Sequence, residues 1–300
     1  MSKMNLRERI SKDLFLLDGA MGTQLIARGI QVGKCNDYLN VDSPDVVSDI
    51  HRSYFEAGSD AVLTNTFGAN KYALGRHGFA EETIKINKAG AQIARRAAGE
   101  NKYVLGDIGP SGDFLEPLGS LNPEELKEAF AQQAKALLNG GVDGFIIETM
   151  TALDEVTVAI EAVKSVGGGV PVLASMSFDR AEDDFKTMMG VGIEAAATKI
   201  VSLGVDAIGF NCGTVSLDEY IELAEKFVLA VRALSADVIV YAEPNAGKPE
   251  LIEDQAVYKV SPEDFAVAAK KIHSTGVNII GGCCGTSPAH IRATAEKLKS

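Results

Sequence analysis

The sequence is short of positive charge. Its 300 residues carry 29 Lys and Arg against 41 Asp and Glu, a net charge of −12 at pH 7, and no basic run interrupts the excess. Such a chain is poorly matched to coating nucleic acid or an anionic membrane surface. Long apolar runs are missing too: the longest reach about six to eight residues, against roughly 18 needed to span a bilayer. Residues 1–12 are charged and contain no apolar h-region, so no secretory signal is expected. Four cysteines cannot make a disulfide scaffold, and an exported location is unsupported. No Ser/Pro linker, low-complexity tract or charge block divides the chain. A hydrophobic content of 46% and a charged content of 23% lie near the globular average. These absences lead to the expectation of a soluble, cytoplasmic globular protein.

What is present is a recurring pattern. Short apolar runs that end in a small or polar residue occur at 14–17, 61–63, 103–105, 144–147, 170–174, 207–210, 238–241 and 277–280. Amphipathic helical patterns fill most gaps, at 82–98, 124–138, 154–166, 193–203, 217–234 and 262–275. Four runs are fed by a Gly and a short polar turn: Gly58-Ser59-Asp60, Gly141-Val142-Asp143, Gly204-Val205-Asp206 and Gly276-Val277-Asn278. That is the chemistry of a helix end opening into a strand. Apolar strands alternating with helices imply a parallel sheet buried on both faces. Length alone, at about 150 residues per domain, would suggest two domains. Eight units instead predict an α/β fold with a single (β/α)8 TIM barrel over residues 1–300, an open doubly wound sheet being the alternative.

Barrel active sites gather at the C-terminal ends of the strands. Asp18, Glu148, Cys212, Cys283 and Cys284 all lie just after an apolar run, and three of the four cysteines are among them. The sixth and eighth runs share parity, so Cys212 and the Cys283–Cys284 pair can converge across the seventh. Three thiolates at an open mouth suit a Zn²⁺ ion with a free fourth position, the arrangement of a catalytic zinc. Three other readings stay open: cysteines packed in the core, a vicinal disulfide, or a thiol redox pair. Cys35 lies in a polar stretch and is read as incidental, and no histidine lies at a strand end. Asp18 could cap a helix or anchor a loop. Glu148, closing Phe145-Ile146-Ile147, needs a cation that the sequence does not place beside it, and a ligand ammonium would serve. The Gly-rich turns 19–22 and 106–112 match neither a P-loop nor a dinucleotide fingerprint.

Six segments together carry a resemblance. They are Asp18-Gly19-Ala20-Met21-Gly22-Thr23, Asn65-Thr66-Phe67-Gly68-Ala69, Gly106-Asp107-Ile108-Gly109-Pro110, Asn211-Cys212, Glu243-Pro244-Asn245-Ala246-Gly247 and Gly281-Gly282-Cys283-Cys284-Gly285-Thr286. In this order, over about residues 10 to 298, they resemble the homocysteine S-methyltransferase family, above all the homocysteine-binding barrel of cobalamin-dependent methionine synthases. The resemblance implies zinc on Cys212, Cys283 and Cys284, with Asn245 a ligand or neighbour of the metal when substrate is absent. It implies that Asp18 and Glu148 hold the amino group of homocysteine, and it brings Thr66 to the substrate site. The segment 179–192 fits the family pattern poorly.

A homocysteine thiol, with a pKa of about 8.5 like that of cysteine, is mostly protonated at neutral pH, and zinc would remove its proton. The thiolate would then take a methyl group and give methionine, with no general base required. Because one barrel has no room for a corrinoid or folate module, the methyl donor is expected to be a methylcorrinoid (methylcobalamin) on a separate protein. The alternatives are a sulfonium such as S-methylmethionine, or a non-catalytic zinc- or homocysteine-binding module.

Overall fold

The computed structural model describes residues 3–31, 33–166, 168–182, 184–252 and 255–299. Eight parallel strands form one sheet among them: β1 (Phe15–Leu16), β2 (Ala61–Leu63), β3 (Tyr103–Ile108), β4 (Gly144–Met150), β5 (Val172–Met176), β6 (Ala207–Asn211), β7 (Ile239–Glu243) and β8 (Ile279–Ile280). The order around the sheet is β1-β8-β7-β6-β5-β4-β3-β2. The seam between β1 and β2 is sewn by aspartates. Asp60 donates its backbone N–H to Leu16 at 2.7 Å, while its carboxylate accepts the Leu16 N–H at 2.9 Å. At the other end of the seam the Asp18 carboxylate accepts the Leu63 N–H at 3.1 Å. The result is a nearly closed TIM barrel, with helices between the strands on its outer face.

The strands run further toward the C-terminal mouth than their apolar runs suggest. β3 continues past Leu105 to Ile108, β4 past Ile147 to Met150, and β7 past Tyr241 to Glu243. Parallel strands present alternate residues to the axis, so Asp107, Glu148 and Glu243 sit two places beyond the inward residues Leu105, Ile146 and Tyr241. The backbone ladder does not stop where the side chains turn polar. β5 also begins later than its apolar run, at Val172, because Pro171 lacks an N–H for the ladder.

Inside the barrel a second apolar cluster fills the lower axis, with Phe15, Leu17, Leu105, Ile146, Leu173 and Tyr241 in it. The short helix Leu6–Ile10 closes the bottom, burying Leu6 and Ile10 against this cluster. Around that plug, Asp60, Asp143 and Asp206 repeat one arrangement. Each accepts an N–H from the first two residues of the neighbouring odd-numbered strand, at Leu16, Val104 and Val172, over 2.8–2.9 Å. Each also pairs with a cation of the N-terminal segment: Arg9 with Asp60, Lys3 with Asp143 and Arg7 with Asp206. The glycines two places upstream of these aspartates, Gly58, Gly141 and Gly204, all adopt positive φ.

The outer helices follow their sequence signals. Asn122 caps Pro123–Gly140 by accepting the N–H of Glu124 and Glu125, and Ser216 and Glu219 form a capping box on Leu217–Leu234. Among the described residues no helix is long and apolar enough to cross a membrane.

On the helix Pro44–Glu56, His51 is fully buried and neither ring nitrogen has a hydrogen-bond partner. Burial lowers its imidazole from 6.5 to about 3. The unfolded chain therefore takes up a proton that the folded chain refuses. Stability present above pH 6.5 is lost as the pH falls toward 3. The stability difference between the wild type and His51→Leu is expected to shift by about 2 kcal/mol between pH 7 and pH 5, with the wild type losing ground. Urea unfolding at the two pH values measures it, and a constant difference would contradict the assignment.

Candidate metal centre and substrate pocket

A cavity of about 350 Å³ opens at the C-terminal mouth of the barrel. Its walls include Asp18, Thr66, Glu148, Cys212, Cys283 and Cys284, so six of the seven residues singled out from the sequence share one pocket. The seventh, Asn245, lies one hydrogen bond away: its Nδ2 donates to the carbonyl of Gly213, beside Cys212, at 2.7 Å.

The sulfur atoms of Cys212, Cys283 and Cys284 all lie within 4.8 Å of one another, and Cys283 and Cys284 are 4.0 Å apart. The cysteines are free, and the backbone holds them from both sides. Cys283 donates its N–H to Pro244 at 2.8 Å, Ala246 donates to Cys284 at 2.9 Å, and Cys212 donates to Glu243 at 3.3 Å. The turn at Cys212 is strained: its φ is +56°, unusual for a residue with a side chain, and Gly213 follows at +84°. A Cβ on Gly213 would stand 2.3 Å from the carbonyl oxygen of Phe178. Tyr220 clamps the turn by donating its hydroxyl to the Cys212 carbonyl and accepting the Asn245 N–H. At the vicinal pair, the Thr286 hydroxyl donates to Cys283 at 2.7 Å and accepts the Ala20 N–H at 3.0 Å, tying the first loop to the last.

The three sulfurs share protons. Hydrogen bonds from Cys212 and Cys283 pull Cys284 down to about 3. Donation to Cys212 and Cys284, together with burial, pushes Cys283 up. A thiolate anchored in this way is a seat for a cation. At a Zn–S distance of about 2.3 Å, tetrahedral ligation places sulfurs about 3.8 Å apart. The observed separations approach that figure, and the Oδ1 of Asn245 is buried without a partner. The donor set therefore fits zinc.

Beside the sulfurs lies an acidic floor. Burial and then the charge of Cys284 push Glu148 up to about 8. Asp18 is raised by burial, partly offset by the Leu63 N–H, with the Glu148 charge adding to the rise. Asp18 does not cap a helix: the following helix, Met21–Ala27, is preceded by Ala20 and has no side-chain cap. It anchors the barrel seam and faces the pocket. Thr66 is fully buried, donating to the carbonyl of Asp107 at 2.8 Å and lying 2.6 Å from Thr64 Oγ1. Cys35, read as incidental, borders the cavity beside Asp37, and the exposed His77 stands at its edge. The segment after β5 folds back as a hairpin, Asp179–Ala181 against Asp184–Lys186, and none of its described residues lines the cavity.

Sequence reasoning passed over three residues. Asp107 and Glu243 also line the pocket, and each closes an apolar run as Glu148 does. The third is Asn211, whose amide meets five partners, Cys283 Sγ at 3.9 Å among them. Its Nδ2 donates to Glu148 Oε2 and Thr149 Oγ1, both at 2.7 Å, and its Oδ1 accepts from Thr149 N at 2.9 Å and Ser175 Oγ at 2.8 Å. It thus orients Glu148 while being covalently joined to Cys212. Asn211→Ala should cost about 2–4 kcal/mol in urea unfolding, since it strands buried polar partners. A loss below about 0.5 kcal/mol would show that the network is not structural.

Comparison with known proteins agrees with this geometry. The family model described as homocysteine S-methyltransferase matches residues 15–298. Methionine synthase of Mycobacterium tuberculosis is 38% identical and that of Mycobacterium leprae 36%, each aligning with 98% of this chain. The chain spans about a quarter of the length of these curated relatives, 25% in each case. Among solved structures, the homocysteine methyltransferase MmuM of Escherichia coli in its metallated form superposes with a TM-score of 0.77 at 23% identity, over 98% of this chain and 99% of that one. That likeness bears on the fold. Sequence and fold together place the chain in the homocysteine S-methyltransferase family, a family of methyl-transfer enzymes.

Proposed function

We propose that residues 1–300 form one homocysteine-binding barrel that methylates the homocysteine thiol to give methionine, with one zinc ion on Cys212, Cys283 and Cys284. The three-sulfur cluster beside an acidic pocket is the observation that carries this reading. Zinc held there would supply a Lewis acid that keeps the substrate sulfur deprotonated at neutral pH. Asn245 would stand beside the ion. Asp18 and Glu148 take the substrate ammonium, and Thr66 lines the same chamber. Asn211 fixes Glu148 against the cysteine loop, so the amino end and the sulfur are held at a set separation. Such fixing turns an encounter into an oriented reaction. No residue is needed as a general base once the thiol has lost its proton.

The donor in this reading is a methylcorrinoid on a separate protein. The cavity accommodates an amino acid but not a corrinoid, so a corrinoid has to approach over the mouth from outside. The named methionine synthases among the relatives support this donor. The abundance of carboxylates in the pocket favours the second reading, a small cationic sulfonium such as S-methylmethionine.

Protein purified without chelator is expected to carry about one zinc per chain, and Cys283→Ser to carry far less than half of that. Elemental analysis decides it, and a wild type without metal would remove the central assignment. Methionine formation should appear with a methylcorrinoid protein and fall more than about 100-fold in Cys283→Ser. Turnover with S-methylmethionine alone would transfer the assignment to the sulfonium donor, and turnover with neither would leave a binding module.

A further inference from the structure

Two carboxylates in the pocket have no occupation. Asp107 on β3 and Glu243 on β7 are 5% and 2% exposed, and both border the cavity. Among the described residues neither carboxyl group makes a hydrogen bond or an ion pair, and one oxygen of each, Asp107 Oδ1 and Glu243 Oε2, is sealed from solvent without a partner. Asp107 uses only its backbone, donating to Thr64 Oγ1 at 2.9 Å and accepting from Thr66. A buried carboxyl left unsatisfied costs free energy, and that cost must be recovered when something binds.

The chemistry of that ligand follows from the company the two acids keep. Among the described residues no Lys or Arg side chain reaches the pocket floor; Lys34 borders the cavity on the loop side. The charges felt most strongly at Glu243 are those of Glu148 and Asp18, and those at Asp107 are Glu148 and Glu243. Five carboxyl groups thus line one chamber, of which Asp37 accepts the Gly68 N–H at 2.9 Å, and like charges at this density call for a cation. An ammonium group offers three N–H donors arranged in a cone. Two acids that each accept once leave one of these donors unmatched, and a charge-assisted hydrogen bond to a third is among the stronger polar contacts available.

We propose that Asp107 and Glu243 are further binding residues for the ammonium group of the thiol substrate, completing with Asp18 and Glu148 a four-carboxylate cage that selects α-amino thiols. The proposal rests on the reading of the pocket as a homocysteine site and extends it to residues to which that reading gives no part. A cage of this kind is a specificity device. A thiol that lacks the amino group would enter as an anion among acids, with nothing to compensate them.

The test is calorimetric binding of two thiols to the full chain loaded with zinc: homocysteine, and 4-mercaptobutyrate, which is the same molecule without its amino group. Asp107→Asn and Glu243→Gln keep shape and remove charge. Each is expected to weaken homocysteine binding about tenfold or more while leaving 4-mercaptobutyrate unchanged or tighter, so that the preference between the two thiols collapses. Asp107→Ser and Glu243→Ala serve if an amide variant does not fold, and thermal melts establish which variants are intact. Equal weakening of both thiols would indicate a merely structural role and overturn the proposal, as would an unchanged preference. A wild type that binds zinc but not homocysteine would defeat the homocysteine reading itself, a result distinct from intact wild-type binding with indifferent variants.

Discussion

Everything in this molecule depends on the two-residue period of eight parallel strands around one axis. Only alternate residues reach the inside, and each strand must fill its inward places from bottom to mouth. β3 does so with Tyr103, Leu105 and Asp107, β4 with Ile146 and Glu148, and β7 with Tyr241 and Glu243. On all three the acid comes two places after an apolar inward residue. A dry plug below and the acids of the chamber above are therefore parts of the same pleat, and loops complete the chamber wall. The sulfurs, like Asp18 and Thr66, lie beyond the strand ends, and the backbone around Cys212 is strained and clamped from several directions.

The two ends of the barrel treat aspartate in opposite ways. At the bottom, Asp60, Asp143 and Asp206 each receive a backbone N–H and a Lys or Arg, so their charge is spent on closing the structure. At the mouth, Asp107, Glu148 and Glu243 have no cation among the described residues, and burial raises all three above the usual carboxylate range. Ion pairs that are partly exposed contribute little individually. Their role at the bottom is positional, since they seat the helix Leu6–Ile10 that keeps water from the lower axis. The mouth can then carry unsatisfied groups on a frame fixed elsewhere, the usual relation between a binding site and its scaffold.

Much of this was legible in the sequence, and the limits have a physical origin. The eight strands and most helices follow from hydrophobic period, and the three cysteines stand out because each comes directly after a strand in a glycine-rich turn. Asp107 and Glu243 carry the same signal as Glu148, an acid two places after an inward apolar residue. What the sequence does not display is which acids are paired. Asp143 meets Lys3 across 140 positions and Arg95 across 48, whereas the Asp107 carboxyl meets no partner among the described residues, and nothing local to either residue distinguishes them. Asn211 was hidden for a similar reason. Its partners on β4 and β5 are 36 and 62–63 positions away and become neighbours only when the strands pair.

The N-terminal segment also bears on the order in which the chain can assemble. The helix Leu6–Ile10 is five residues long, far too short to persist alone in water. Its anchors lie 51, 140 and 199 positions downstream, at Asp60, Asp143 and Asp206. The first helix in the chain is thus among the last to have somewhere to sit, since its seat exists only after β2, β4 and β6 have taken their places. Protection of its backbone amides from exchange would therefore mark the moment when the barrel becomes whole.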